Sequence, residues 1–360
     1  MKILLLGEYS GLNRELKNAL EMLGHDVTLA AANDFWKNIE VDINLGSGNN
    51  IYSYKFNQLL KPIIKRKLLT DYDVVHVINF YLIPRSVILN NWLVRFLKKN
   101  NNIVTLSGAG DDPFFVNYSE ECLNYSPIPS HEKYDRRSAY YMRGKYPVEG
   151  MHHYMSNIDG VIPIMYEYYA TFCKAGYKKK TSLPVPIPID ISKIEPIDNK
   201  CNGRVVFFHG LNRPGFKGTH LIQQAFRDFG SKYPNDVRCI IDGKMSFNKY
   251  IEFIRGINVS VDQVYSYSLA MNALYSMAQR KVVLGGVERE SSILYQGELP
   301  PAFNIKPTVK DIYQNLEKIL DMRRDIPRIG EESREFLGRY HNPLTVAEKY
   351  LKFWQLLGVS

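Results

Sequence analysis

Arg204–Phe226, RVVFFHGLNRPGFKGTHLIQQAF, is the stretch whose reading decides the fold. Val205–Phe208 is a short β-branched and aromatic run that reads as a buried strand. It breaks into a polar loop that holds Gly210, Arg213, Pro214, Gly215 and Lys217. Gly218-Thr219 then opens a helix with Thr219 as the expected N-cap, and Leu221, Ile222, Ala225, Phe226 and Phe229 share one face of it. A strand, a basic glycine-bearing loop and a helix N-terminus suit an anion, because free backbone N–H groups, the helix dipole and side-chain cations converge there. The competing reading is a surface loop with incidental charge. The loop is not a Walker A motif, since nothing matches G-x-x-x-x-G-K-[ST].

Upstream, Lys2–Leu6 reads as a first strand and Asp26–Ala30 as a second. Between them Leu12, Leu16, Ala19, Leu20 and Leu23 share a helical face that Gly24 ends. This β-loop-α-β opening begins a doubly wound domain. Asp73–Ile78, Ile103–Leu106 and Ile158–Ile164 continue the strands, with a helix over Tyr166–Ala175 closed by Gly176. Ser182–Ile197, SLPVPIPIDISKIEPI, carries four prolines and no helix-forming run, so it reads as an extended linker. Beyond the opening stretch, Val237–Asp242, Ile257–Val261 and Val282–Leu284 read as strands. A helix with Ser268 as its cap is expected to run to about Arg280, and two helices, Val309–Arg324 and Pro343–Leu357, end the chain.

The order strand, Gly210, Arg213, Lys217-Gly218, helix resembles the opening of the second domain in nucleotide-sugar glycosyltransferases of GT-B fold. It is most similar to the large retaining family (glycosyltransferase group 1, family 4-like), whose loop reads G-R-(several residues)-K-G. There the Arg and Lys hold the diphosphate of the sugar donor. Lys217 and Gly218 match in place, while Leu211 follows the glycine and Arg213 comes two residues later. The loop of Gly7, Ser10 and Gly11 resembles the glycine loop that faces the donor diphosphate, although G-x-G-x-x-G is absent. In SGAGDDPFF the family pattern T-L-H-G-x-D is met by Thr105, Leu106 and Gly108, with Ser107 where the His would be. Asp111 meets the acidic position only with one residue inserted, and the competing reading is a tight turn with Asp112 before Pro113. The family's E-x7-E is replaced by Tyr267 and Tyr275, whereas Ser276-Met277-Ala278 and Lys281–Val283 align with the A-M-A-x-G-x-P-V that follows. Tyrosines can hydrogen-bond to a sugar or ribose but cannot reproduce a carboxylate's charge. Asp262 ends its strand at the carboxyl edge, where doubly wound folds bind ligands, and is the foremost acidic candidate, followed by Glu288 and Glu290.

The resemblance implies an α/β protein of two Rossmann-like doubly wound domains facing a cleft. Its expected organisation is an acceptor-side domain over 1–182, a linker over 183–200 and a donor domain over 201–342. The final helix, 343–360, is expected to cross back to the first domain on Trp354 and Phe353. The implied activity moves a sugar from a nucleoside-diphosphate sugar to a saccharide or lipid-linked acceptor with retention, in glycan or surface polysaccharide assembly. It uses no metal and no cofactor beyond the donor substrate. Arg213, Lys217 and Asp111 are the implied catalytic residues. Gly11, Gly210, Gly218, Asp262, Tyr267, Ser268 and Tyr275 are the implied donor-binding residues. The absent glutamates keep a second reading open, a non-catalytic GT-B-like protein that binds a nucleotide or glycan.

Composition bounds these readings. A net charge of +9 points to anionic partners. The cations are spread along the chain with no recognised nucleic-acid module, so a nucleic-acid partner is not expected. The four cysteines show neither a C-x-x-C nor metal-ligand spacing, which fits free thiols in a reducing, cytoplasmic setting. Two basic amphipathic segments, Gln58–Leu69 and Ser86–Asn100, suit either the inner face of an anionic membrane or ordinary helices packed on a sheet. The Tyr-, Arg- and His-rich stretch 117–154 includes His152-His153, of which one at most can face a site, and its tyrosines fit sugar stacking as well as packing.

Overall fold

Parallel pairing of short apolar strands builds two sheets. The computed structural model describes residues 1–32, 40–46, 51–135, 140–243 and 245–359, without the side chains of 51–55 and 247. Two compact units result. The first comprises Met1–Cys122, Ala139–Pro188 and Pro343–Ser360, and the second Leu123–Ser138 with Ile189–Asn342.

In the first unit β1 (Lys2–Leu6), β2 (Asp26–Ala32), β3 (Ile43–Gly46), β4 (Val74–Val77), β5 (Ile103–Gly108) and β6 (Gly160–Pro163) form a sheet ordered β3-β2-β1-β4-β5-β6. All pairings are parallel. β4, β5 and β6 are buried along their whole length, as expected of strands covered on both faces. The sequence reading treated 35–50 as a polar connection. Of it, 35–39 and 47–50 lie outside the described residues, and Ile43–Gly46 is an edge strand too short to show an alternating pattern.

Trp354 anchors the terminal helix Pro343–Leu356 within this unit. It is fully buried and its Nε1–H donates to Thr105 Oγ1 at 3.2 Å. Phe353 packs so close to Gly160 that a Cβ there would lie 2.6 Å from its ring.

In the second unit β7 (Val205–Leu211), β8 (Val237–Gly243), β9 (Val259–Val261), β10 (Val282–Gly285) and β11 (Phe303–Asn304) are ordered β11-β10-β9-β7-β8, again all parallel. Of the apolar face expected from spacing, the helix Thr219–Lys232 buries Ile222, Ala225, Phe226 and Phe229 and leaves Leu221 half-buried. Phe229 meets Phe207 of β7 edge-to-face at 5.4 Å. Its truncation to Ala costs about 3–5 kcal/mol.

Three local expectations are corrected. The helix does not start with Thr219 as N-cap: Gly218, at φ +72°, takes that place, and the Thr219 hydroxyl turns to His209 instead. Ser268 does not cap a helix. The helix is Met271–Ala278 with Ala270 as its N-cap, and Ser268 is buried upstream, its carbonyl accepting from Ser266 Oγ. Between the two terminal helices lies a third, Ile326–Tyr340, with Pro327 in its first turn. Gly330 lets that helix approach Arg280, whose carbonyl oxygen would lie 2.1 Å from a Cβ.

Candidate functional site

The strand order of the second sheet reverses between β7 and β9: the chain leaves β7 to β8 on one side and resumes with β9 on the other. Ligand crevices in doubly wound sheets open at the carboxyl ends of strands at such a switch point. The segment 212–218 leaves β7 there, and Asp262 follows β9 there.

Lys217 folds back over this edge. Its Nζ donates to Asp262 Oδ1 at 2.8 Å and to the Gly210 carbonyl at 3.3 Å. Lys217 is 6% exposed and Asp262 3%, so this is a desolvated ion pair rather than a surface contact. Asp262 Oδ2 is buried and has no hydrogen-bond partner among the described residues. A buried carboxylate oxygen with nothing to accept is costly and marks a place for a donor group.

His209, the residue before Gly210, supports the pair from below. Burial, with the nearby Lys217 cation, pushes its pKa down to about 4, so it is neutral. Its Nδ1 meets the Val261 carbonyl and its Nε2 meets Thr219 Oγ1, both at 2.8 Å. A neutral ring with one acceptor neighbour must carry its proton on Nδ1 and accept from the threonine hydroxyl on Nε2. Sequence reasoning missed His209 because it ends an apolar run and looks like one more strand residue.

Gly218 is required at its position. Its φ is in the left-handed region, and a Cβ would lie 2.4 Å from Val264 Cγ2. Gly210 is not: a Cβ there would make only ordinary contact, 3.5 Å from Asn272 Nδ2.

Arg213, at φ +54°, stacks its guanidinium over Phe216, with Cζ 4.0 Å from the ring centre. Its Nη2 lies 3.2 Å from His131 Nε2. His131 belongs to the helix Ile128–Tyr134, which packs on the short turn of helix Pro214–Lys217. The approach is close enough that a Cβ on Gly215 would lie 2.5 Å from the Ser130 carbonyl. Asp135 Oδ2 accepts from His131 Nδ1 at 2.6 Å and from the Phe216 N–H at 2.9 Å. Neither His131 nor Asp135 was singled out in the sequence, although their i,i+4 spacing on a helix is a usable signal. Residues 136–139 lie outside the described residues.

The two tyrosines that stand where the family has glutamates are both held by packing within the second unit. Tyr267 is 2% exposed, and its Oη accepts from the Asn124 N–H at 2.6 Å. Its ring packs against Tyr125 at 4.8 Å, and the Tyr125 hydroxyl donates to Glu288 Oε1 at 2.7 Å. Glu288 also accepts from Asn304 Nδ2 at 2.8 Å. This group lashes the segment Leu123–Ser138 to the rest of its unit. Tyr275 is half-buried against the cluster of Phe208, Ile254 and Ile257.

Asp111 and Gly11 belong to the first unit. Asp111 follows β5, where its carbonyl accepts from Asn79 Nδ2 at 3.2 Å. Its neighbour Asp112 is buried, accepts from the Phe115 N–H at 2.9 Å, and is pushed up by burial to about 7. Ser107 lies in the core with His76 Nε2 at 2.7 Å from its Oγ.

Gly11, at φ +91°, is the N-cap of the helix Leu12–Met22. Its N–H and that of Arg14 donate to the Glu8 carboxylate at 2.7 and 2.9 Å, so the protein's own acid occupies this helix start. Burial raises the Glu8 pKa in spite of these bonds. Glu8 lines a cavity of about 240 Å³ with Gly7, Tyr9, Gln58, Tyr81 and Leu82. Among the described residues no three His, Cys, Asp or Glu side chains gather in a way that could hold a metal ion.

No protein-family model and no curated protein sequence matches the chain. Solved structures do match its fold. Sucrose-phosphate synthase from Thermosynechococcus elongatus is similar over 99% of both chains, with a TM-score of 0.65 and 15% identity. HepE from Anabaena, in complex with UDP and glucose, is similar over 99% of this chain and 100% of its own, with a TM-score of 0.63 and 11% identity. The catalytic domain of starch synthase IV from Arabidopsis thaliana, bound to ADP and acarbose, is similar over 99% of each chain, with a TM-score of 0.60 and 10% identity. The chain therefore has the GT-B fold, α/β with two Rossmann-like parallel sheets.

Proposed function

We propose that this protein is a glycosyltransferase that moves a sugar from a nucleoside-diphosphate sugar to a saccharide or lipid-linked acceptor. The observation that carries the reading is the buried Lys217–Asp262 pair at the switch point of the second sheet, with Asp262 Oδ2 left to accept a hydrogen bond. A departing diphosphate needs cations close by: Lys217 supplies one from a desolvated setting, where charge acts most strongly, and the exposed Arg213 supplies a second. Asp262 Oδ2 takes a hydroxyl of the donor, the role for which this site has no glutamate. Solved structures of the same fold that hold UDP or ADP support a nucleotide-linked donor.

On this reading the acceptor sits in the first unit, in the cavity lined by Glu8, Gln58 and Tyr81. Transfer proceeds with retention, the donor phosphate itself removing the acceptor proton. Catalysis is then electrostatic and positional, with no protein nucleophile and no metal.

A lipid-linked acceptor is favoured by one surface of the first unit. The helix Ile51–Ile64 and the turn Arg66–Leu69 expose Phe56, Leu59, Ile64 and Leu68 among Lys61, Lys65, Arg66 and Lys67. Apolar side chains interleaved with cations suit an anionic bilayer. Sedimentation with vesicles containing an anionic lipid checks this arm; no salt-sensitive binding would leave the soluble saccharide as acceptor. The activity itself is tested by release of nucleoside diphosphate from UDP-, ADP- and GDP-sugars supplied singly. Wild type is expected to turn over one base series and Lys217→Ala to lose at least about a hundredfold. Equal rates in the two proteins would sink the assignment.

A further inference from the structure

The chain Asp135–His131–Arg213 has a definite chemical sense. Arginine donates only, so the 3.2 Å contact makes His131 Nε2 the acceptor of an Arg213 N–H. The ring must then be neutral with its proton on Nδ1, where the Asp135 carboxylate accepts it at 2.6 Å. His131 is 3% exposed, and its ring stands edge-on to Phe216, the same ring that carries the guanidinium on its face. The Asp135 oxygen that fixes the tautomer also holds the Phe216 N–H. Tautomer, stacking ring and guanidinium are thus set by one carboxylate from a helix remote in sequence.

We propose that His131 and Asp135 are positioning residues for Arg213, holding its guanidinium in the pose that meets the diphosphate of the donor. This rests on the donor reading above. A long flexible cation loses rotamer freedom when it binds. A guanidinium already stacked on Phe216 and bonded to His131 has less freedom to lose when it meets phosphate oxygens. The residues act through Arg213 and need not touch the substrate.

The test is the binding of UDP and ADP, measured by titration calorimetry, to wild type, Arg213→Ala, His131→Phe, His131→Gln and the double variant Arg213→Ala/His131→Phe. His131→Phe keeps the ring and removes the acceptor, so the affinity of the better nucleotide is expected to fall about tenfold. His131→Gln, which keeps an acceptor oxygen, is expected to stay within about threefold of wild type. In the Arg213→Ala background His131→Phe is expected to add nothing, because the group it positions is gone. A purely structural role would instead weaken binding by the same factor in both backgrounds and would overturn the proposal.

Imidazole ¹⁵N resonances of the unmutated protein give a second reading that survives any folding defect. A non-protonated Nε2 is expected, and the opposite tautomer would overturn the relay. If Lys217→Ala loses the nucleotide and Arg213→Ala does not, the positioning proposal falls while the donor site stands. If wild type binds neither nucleotide, the donor reading itself fails and the proposal with it.

Discussion

Replacing Lys217 by Met removes one half of the buried pair and leaves the other. The ammonium and carboxylate are 2.8 Å apart, with side chains only 8% and 3% exposed. Their gross attraction is about 6 kcal/mol at an effective dielectric of about 20, but most of it offsets the desolvation of two charges. Truncating one partner therefore costs more than the pair contributes, about 3–5 kcal/mol, because the remaining charge is buried alone. For a unit of this size that is a fall of about 6–20 °C in the melting temperature. Asp262→Leu should cost about as much. The double variant Lys217→Met/Asp262→Leu should recover most of the loss, since an apolar pair of similar volume is near neutral. All three tryptophans fall in the first unit's part of the sequence, so a far-ultraviolet circular dichroism loss that precedes the tryptophan emission change reports the second unit. Each single variant is expected to show that early loss and the double variant to lack it. Losses of under about 1 kcal/mol that simply add in the double variant would refute the buried pair.

Gly218→Ala combines a left-handed backbone with a Cβ 2.4 Å from Val264, and should cost at least about 2 kcal/mol in a urea titration. Trp354→Ala should destabilise the first unit by about 3–5 kcal/mol, read from the circular dichroism midpoint. His209 carries a pH dependence with a definite sign. Its pKa is about 4 in the fold against 6.5 unfolded, so between those values the unfolded chain binds the extra proton. The second unit should therefore lose stability as pH falls through that window, by about 3 kcal/mol in all. His209→Gln should flatten that dependence, and an unchanged slope in urea midpoints against pH would contradict it.

Much of the fold was legible because buried parallel strands are short runs of mostly apolar residues. Val74–Val77, Ile103–Gly108 and Val205–Leu211 are of that kind. The strand Phe303–Asn304 was not legible, since two residues carry no period. The helix Ile326–Tyr340 was missed although Pro327 in its first turn marks a start. Lys217 and Asp262 were each readable, one from its loop and one from its strand end, but their pairing spans 45 residues and only the fold supplies it. The misreading of Ser268 has a similar cause: a serine before an apolar run looks like a cap, yet Ser268 is buried two residues before Ala270, the N-cap. Tyr267 reads in the sequence as a group in place of a carboxylate, and its bond to the Asn124 amide, 143 residues away, only the fold supplies.

The central claim is a nucleoside-diphosphate site on the second unit, and thermal shift against UDP, ADP, GDP and their sugars tests it most directly. Each protein is compared with its own ligand-free melting temperature, which removes the stability cost of the variant. A nucleotide at about a hundred times its Kd contributes about 2.7 kcal/mol to the folded state. The account predicts a clear rise for one base series in wild type and none in Lys217→Ala. A flat response to every nucleotide, or an equal rise in the two proteins, would contradict it.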